Sequence, residues 1–484
     1  MHLAYPSARR RLLRAREADM KSSLVRILHR IHFYAGVLVA PFLLIAAVTG
    51  ALYALAPSIE NVVYRHELHT DSVGVTQSLA DQIGAAQKAR PDLQVSAVRP
   101  PAESGDTTQV LFADPTLGDS ERLAVFVDPV TLDTRGELPV YGSSNALPMR
   151  QWLDRLHRDL HLGEPGRLYS ELAASWLWVI VLAGLGIWFV RTRKARRRVG
   201  AGRARTVHRH AVIGVWISVG LVFLSATGLT WSTYAGQNVS DLRTALSWTT
   251  PATDTSLSGA APTSGGGEHA GHGAPAVSGD TSGAVAQVDA AVALARSVGI
   301  DSGIEVTLPA EADTAYTVTE VRRPWQFSPD TVAVDPASDR VVSENRFADW
   351  PIAAQASNLA IALHMGLLFG VANQVVLFLL AAALVVMIVL GYRAWWQRRN
   401  RRAPAAGGLR AAPWPVSVGL IVVAIAVGWF VPLLGWPLLV FVLVDVVSTF
   451  VRSRRDGSPS RASGTVECGE DVDAGVPPHA LVRD

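Results

Sequence analysis

Four histidines recur at matching positions in the two halves of the sequence. His32 and His210 each open an apolar stretch, and each is followed at the same spacings by a glycine and by a Thr-Gly dipeptide. His161 and His364 each stand in a Leu-His-x-Gly sequence shortly before a later apolar stretch. Neutral imidazole is the usual nitrogen ligand of haem iron. Two histidines from different helices at one depth would fill both axial positions of a haem, which favours electron transfer over oxygen chemistry.

Glycines accompany the first two of these histidines. Gly36 and Gly214 lie one turn beyond His32 and His210, on the same face of a helix. A residue without a side chain at that position lets a flat macrocycle lie against the helix backbone. Glycine also serves the close packing of membrane helices. Its recurrence with histidine in both halves nevertheless predicts that Gly36 and Gly214 pack against a haem.

The choice of ligands is open at two positions. His29 lies one turn before His32, and His157 lies one turn before His161, so that His29 and His157 are alternative ligands. Histidines at helix ends also occur simply in the headgroup region of a membrane. The shared spacing favours His32, whereas the partner of His364 is either His161 or His157.

Long apolar stretches position these histidines. Of the 484 residues, 49% are hydrophobic and only 18% are charged, a composition that excludes an ordinary soluble enzyme. Crossing a hydrocarbon core takes about 20 helical residues. Four stretches have that length: 34–56, 171–190, 211–232 and 371–392. The longer stretch 416–450 is interrupted by prolines, which predicts a hairpin of two helices and therefore six spans in all.

Clusters of arginine and lysine predict the orientation of the spans. They lie in segments 1–33, 191–210, 393–415 and 451–484, which all fall on one side if the spans alternate. Such clusters remain in the cytoplasm. Both termini are therefore expected inside, and the basic segments need no nucleic acid to explain them. The first apolar stretch is too long for a cleaved signal peptide and is expected to be retained, although Met20 is an alternative start.

The two large segments 57–170 and 233–370 are then expected to face outward. Each contains a predicted helix, Leu79–Ala89 in the first and Ala286–Val298 in the second, followed by predicted strands. The strands are predicted at Val95–Val98, Gln109–Phe112, Leu123–Val127, Ile304–Leu308, Tyr316–Val321 and Val332–Val334. The expected fold class is a mainly α membrane bundle of six helices with an internal repeat, together with two small α+β domains outside the membrane.

Further features narrow the possible functions. A single cysteine excludes a disulfide framework and an iron–sulfur cluster held by this chain alone. Because no Gly-rich nucleotide-binding sequence follows a strand, electrons would have to come from a quinol or from a cytoplasmic donor. His269 and His272 lie in a Gly-rich linker. They could bind a metal loosely, although a flexible polar linker explains them better.

Several motifs together resemble the PepSY-associated transmembrane family, which is linked to bacterial iron uptake. The resemblance covers most of residues 24–400. Its motifs are His32–Gly36, Leu156–Arg167, Glu171–Trp176, Leu224–Trp231, and His364 with Leu368-Phe369-Gly370. The stretch 416–450 lies beyond this pattern, and the resemblance assigns it no role.

The resemblance implies more than the spacing does. The two outward units would be PepSY domains, and the protein would be similar to ferric-siderophore reductases of the bacterial inner membrane that carry two b-type haems. His32 and His210 would hold the inner haem. His364, with His161 or His157, would hold the outer one. The partners would be a ferric siderophore or other ferric chelate, an electron donor and the lipid membrane. The alternatives are a non-redox PepSY scaffold or regulator and a component of an iron or siderophore transporter.

Overall fold

The computed structural model describes residues 25–192, 202–258, 282–301, 303–398 and 414–456. His269, His272 and much of the basic segments that are expected in the cytoplasm lie outside the described residues. The α-helices are α1 (25–38), α2 (Ala40–Val63), α3 (Arg65–Leu68), α4 (Leu79–Ala89), α5 (Pro148–Asp159), α6 (Glu164–Thr192), α7 (Arg203–Leu229), α8 (Tyr234–Ala245), α9 (Ser282–Ala286), α10 (Val288–Ser297), α11 (Ile352–His364), α12 (Val371–Trp396), α13 (Trp414–Phe430) and α14 (Pro432–Asp456).

Among the described residues, four helices are long and apolar enough to cross a membrane, namely α2, α6, α7 and α12. They overlap the four predicted stretches, and α1 continues into α2 through a single irregular residue, Val39. Helices α13 and α14 follow one another around Val431, where the hairpin is predicted. Their described apolar parts, Ile421–Phe430 and Pro432–Val444, are shorter than the other four. Among the described residues, four of the six expected spans therefore correspond to helices that are long enough to cross a membrane.

The four long helices form a bundle that follows the repeat in the sequence. Helix α2 packs against α12, α6 packs against α7, and α7 packs against α12. The shorter helix α5 lies against α2, and α11 lies against α7. Buried side chains such as Leu43 of α2, Leu177 of α6, Leu221 of α7 and Leu384 of α12 fill the centre. Helices α2, α5 and α6 of the first half therefore correspond to α7, α11 and α12 of the second.

The segments between the long helices share a single antiparallel sheet, which within the described residues has eight strands in the order β4-β3-β2-β1-β5-β6-β7-β8. The strands are β1 (Gln94–Arg99), β2 (Thr108–Ala113), β3 (Glu121–Val127), β4 (Thr134–Tyr141), β5 (Ile304–Thr307), β6 (Tyr316–Glu320), β7 (Thr331–Asp335) and β8 (Arg340–Asn345). At its centre Ala97 of β1 pairs with Thr307 of β5. The two expected α+β domains are therefore joined edge to edge.

Helices α4 and α10 cover one face of this sheet. Ile83 of α4, Val292 of α10 and Val98 of β1 belong to one apolar core. Ala97 belongs to a second, smaller cluster that includes Leu147, just before α5. Strand β1 is therefore buried on both faces.

The ends of the elements show what local sequence can predict. Helix α4 has the predicted bounds, because Ser78 caps it by accepting the amide hydrogen of Asp81. Strands β4 and β8 were not predicted. They are the two edge strands of the sheet, and their side chains are mostly exposed or half-buried. Edge strands are commonly polar, so that they lack the apolar pattern by which the inner strands were recognised.

Glu305 links the two halves of the sheet. Its carboxylate on β5 accepts a hydrogen bond from Arg99 on β1 at 2.6 Å and one from Arg122 on β3 at 2.7 Å. All three side chains are largely buried. Burial by itself raises the pKa of Glu305, but the two guanidinium groups outweigh burial and lower that pKa to about 2.

We expect Glu305→Gln to lower the free energy of unfolding by about 3 kcal/mol, because two buried guanidinium groups lose their counter-charge. The wild-type contribution holds above the unfolded pKa of 4.5 and is lost as the pH falls towards about 2. Glu344→Gln is the control, since Glu344 pairs with Arg346 at a more exposed position and should cost less than about 1 kcal/mol. Thermal unfolding of the purified full chain measures both costs, and equal costs would contradict this prediction.

Candidate functional site

His32 and His210 come together at the end of the bundle that lies away from the sheet, and are termed the distal pair. Their ring centroids are 6.0 Å apart, and the ring planes are inclined at 72°. His32 Nδ1 lies 2.8 Å from the carbonyl oxygen of Ile180 on α6. His210 Nδ1 lies 3.0 Å from the carbonyl oxygen of Met387 on α12. The His32 ring therefore reaches from α1 to α6, and the His210 ring reaches from α7 to α12.

In the distal pair, Nε2 of each ring is the nitrogen that is able to bind a metal. A carbonyl oxygen can only accept a hydrogen bond, so that each neutral ring donates from Nδ1 and holds its lone pair on Nε2. Metal-binding histidines are oriented in this way by a hydrogen bond from their other nitrogen. A bond between a metal and an imidazole nitrogen is about 2 Å long. The ring separation of 6.0 Å leaves room for one metal ion between two such bonds.

His157 and His364 make matching contacts near the sheet, and are termed the sheet-side pair. His157 Nδ1 lies 3.0 Å from the hydroxyl oxygen of Thr49, and His364 Nδ1 lies 2.5 Å from that of Thr227. Burial lowers the pKa of His157 to about 4. Burial, with a smaller contribution from the neighbouring His157, lowers the pKa of His364 to about 3. Both imidazoles are therefore neutral at neutral pH and able to bind a metal.

A glycine lies against each of the four rings. The distance from a Cβ atom built on the glycine to the ring Cε1 atom is 2.9 Å for Gly184 and His32, 3.6 Å for Gly391 and His210, 3.0 Å for Gly50 and His157, and 3.9 Å for Gly228 and His364. The rings thus rest on bare helix backbone, more tightly in the first half of the chain than in the second. Sequence reasoning did not assign a role to these four glycines, although the Thr-Gly repeat contains two of them.

The two glycines that were predicted to pack against a haem do not touch the rings. A Cβ atom at Gly36 would meet no other atom within 4 Å, so that open space lies one turn from His32. A Cβ atom at Gly214 would lie 3.1 Å from the sulfur of Met387. The space beside Gly36 is compatible with the prediction, whereas Met387 fills the corresponding space beside Gly214.

The structure brings His157, and not His161, to Thr49. His161 is exposed and lies against Trp152, with ring centroids 5.0 Å apart. Helix α5 ends at Asp159, and His161 follows in a turn with a positive φ of 56°. The matching Leu-His-x-Gly sequences mislead here because the first lies beyond the end of its helix, whereas His364 is the last residue of α11. His157 therefore occupies the position in the first half that His364 occupies in the second.

The remaining candidates lie apart from the two pairs. His29 is half-buried on α1, one turn before His32. His269 and His272 lie in the linker that the structure does not describe. Within the described ranges, no three His, Cys, Asp or Glu side chains converge as a metal site.

Two aromatic side chains extend the repeat beside the sheet-side pair. The ring of Tyr53 is parallel to that of His157 at 6.3 Å, and the ring of Trp231 is edge-on to that of His364 at 5.4 Å. Each aromatic residue stands one turn after the threonine that contacts the same histidine. The sequence contains this signal as a Thr-Gly-x-x-aromatic motif in both halves.

A cavity of about 580 Å³ lies between the sheet and the adjoining ends of α2 and α12. Small-molecule sites commonly have about 300 to 1,000 Å³. Arg99, Arg150 and Arg322 line the cavity together with Glu60, which is paired with Arg150 at 3.2 Å. Gly366, which closely follows the sheet-side residue His364 in the chain, also lies in the wall.

The cavity has an aromatic side as well. Trp325 and Phe369 line it, and their ring centroids are 5.1 Å apart. Trp325 has a φ of 68°, a conformation that bulky residues rarely adopt. Its amide nitrogen donates to the carbonyl oxygen of Leu368 at 2.8 Å, which holds the loop in this conformation. The cavity therefore combines guanidinium groups with flat apolar surface.

The sequence model of the PepSY-associated TM region matches residues 29–398. The matched region contains both histidine pairs, the sheet and the four long helices. No curated protein matches the chain. Because the match covers most of the 484 residues, the chain belongs to the family of the PepSY-associated TM region.

Proposed function

We propose that the chain is a transmembrane electron-transfer protein that binds two b-type haems and reduces a ferric chelate, such as a ferric siderophore, at the outer face of the bacterial cytoplasmic membrane. The electrons would come from a cytoplasmic donor or from the quinol pool. One observation carries the proposal: each half of the repeat contributes one histidine to each of two pairs, and Nδ1 of every ring is already hydrogen-bonded. Such rings bind a metal through the remaining nitrogen.

The four histidines would hold the haems. His32 and His210 would hold one haem, and His157 and His364 would hold the other. When bound, haem b supplies reversible one-electron chemistry of iron. The helix carbonyls and threonine hydroxyls orient the rings, and the glycines beneath the rings keep side chains out of their way.

The two pairs lie near opposite ends of the same helices, which suggests a route for electrons across the membrane. Helix α7 carries His210 near its beginning and Thr227, the partner of His364, near its end. Buried apolar side chains such as Leu221 and Leu384 fill the space between. Transport of an ion or siderophore would require a continuous polar lining there.

The cavity beside the sheet-side pair is our candidate for the position of the ferric chelate. Arg99, Arg150 and Arg322 lie in its wall together with Glu60. Trp325 and Phe369 offer flat surface to an organic ligand. Each Fe(III) would take up one electron and leave as Fe(II). By the positive-inside rule, the basic segments near α1, α7 and the end of α12 support a cytoplasmic position for that end of the bundle and an outer position for the sheet.

Visible absorption of the purified full chain, expressed with haem supplied, tests the haem assignment. We expect a Soret band that responds to dithionite and a content of two haems per chain. In proteoliposomes, a reductant on the α1 side should produce Fe(II) from a ferric chelate on the sheet side, detected with a ferrous-specific chelator. Protein without a Soret band would end the proposal, and bound haem without Fe(II) formation would end the assignment of the substrate.

A further inference from the structure

Thr49 and Thr227 occupy equivalent positions in the two halves and make equivalent contacts. Each hydroxyl oxygen lies within hydrogen-bond distance of Nδ1 of one histidine of the sheet-side pair. Each also lies within hydrogen-bond distance of a carbonyl of its own helix. The Thr49 hydroxyl is 2.9 Å from the Ile45 carbonyl oxygen, and the Thr227 hydroxyl is 2.8 Å from the Phe223 carbonyl oxygen.

The carbonyl contact of each hydroxyl favours one direction for its hydrogen bond with the histidine. A threonine hydroxyl has one proton, and a carbonyl oxygen can only accept. When that proton is donated to the helix carbonyl, the hydroxyl oxygen accepts the Nδ1 proton of the histidine. The ring is then held with its lone pair on Nε2. A hydroxyl that donates to a carbonyl is also polarised, which makes it a better acceptor for the imidazole.

The two pairs differ in what accepts this proton. The distal pair is bound to the main-chain carbonyls of Ile180 and Met387, which no side-chain substitution removes. The sheet-side pair is bound to side-chain hydroxyls that a substitution can remove. The hydrogen bond from a ligating histidine raises the basicity of that ligand and contributes to the reduction potential of the metal.

We propose that Thr49 and Thr227 are positioning residues of the sheet-side pair, which hold His157 and His364 with Nε2 free for a shared haem and lower the reduction potential of that haem by accepting the Nδ1 protons. The proposal rests on the function proposed above. It assigns the two threonines a specific effect on one of the two haems and none on the other.

The matched variants are Thr49→Val and Thr227→Val, which keep the branched shape but lose the hydroxyl, and Thr49→Ser and Thr227→Ser, which keep the hydroxyl. Potentiometric titration of the purified full chain, followed by visible and EPR spectra, gives the potential of each haem. In either valine variant we expect one haem to move to a more positive potential, with its affinity for the protein lowered by about 10-fold. The other haem should be unchanged, and the serine variants should resemble the wild type.

Different results separate this proposal from the one on which it rests. Wild-type protein without haem would overturn the proposed function and this inference with it. Two haems in the wild type, with unchanged potentials in both valine variants, would overturn this inference alone. The same would follow if the serine variants behaved like the valine variants, or if both haems shifted together, because a general disturbance of packing would then explain the effect. Loss of one haem in a valine variant, with both retained in its serine counterpart, would support the inference.

Discussion

Replacement of His157 by alanine is expected to remove about half of the bound haem, whereas replacement of His161 leaves the haem content unchanged. His157 is half-buried, with Nδ1 at 3.0 Å from the hydroxyl of Thr49 on α2. His364 has the same contact with Thr227 in the second half. His161 is exposed in the turn after α5. The loss should therefore follow burial and hydrogen bonding, and not the Leu-His-x-Gly motif.

The haem-to-protein ratio of the purified chain, measured as the pyridine haemochrome, decides between the two histidines. His364→Ala should lower this ratio as much as His157→Ala does, because both variants lose the haem of the sheet-side pair. His210→Ala should lose the haem of the distal pair instead, so that the haem left in this variant has a different spectrum. A normal ratio in His157→Ala together with a halved ratio in His161→Ala would restore His161 as the ligand. Full haem retention in both His210→Ala and His364→Ala would refute all four ligand assignments.

Alanine substitutions of the glycines at the distal pair are expected to have opposite outcomes in the two halves. Gly184→Ala would place a methyl group 2.9 Å from Cε1 of His32, closer than the atoms can approach, whereas Gly391→Ala would place it 3.6 Å from Cε1 of His210, an ordinary contact. We expect Gly184→Ala to displace the His32 ring at a cost of about 1 to 3 kcal/mol and to lose the distal haem. Gly391→Ala should keep it, since alanine favours the helix by up to about 1 kcal/mol over glycine.

The same comparison can be made at the sheet-side pair. A Cβ atom at Gly50 would lie 3.0 Å from His157, and one at Gly228 would lie 3.9 Å from His364. Gly50→Ala should therefore weaken haem binding more than Gly228→Ala does. Haem content and thermal unfolding of the four variants provide the measurement. Equal tolerance of alanine at Gly184 and Gly391 would show that the rings do not rest on these glycines.

Much of the fold could be predicted because its determinants are local. A span of about 20 apolar residues is visible wherever it occurs, and α2, α6, α7 and α12 overlap the predicted stretches. The cap at Ser78 is a contact between near neighbours in sequence. The edge strands β4 and β8 escaped prediction because their positions depend on pairing with β3 and β7. The join between β1 and β5 brings together residues from different halves of the chain, and no local pattern marks it.

By itself, the sequence determined the membrane bundle, the internal repeat and the recurrence of histidine, glycine and threonine at equal spacings, since these follow from hydropathy and periodicity along one chain. The tertiary structure alone decided which side chains meet. It placed His32 against the carbonyl of Ile180 and His157, in place of His161, against Thr49. The reason is physical. The hydrogen-bond acceptor of each ring nitrogen lies on a neighbouring helix, so that it depends on how the helices pack. The end of α5 at Asp159, and not the Leu-His-x-Gly motif, determines that His157 faces α2 while His161 lies in the following turn.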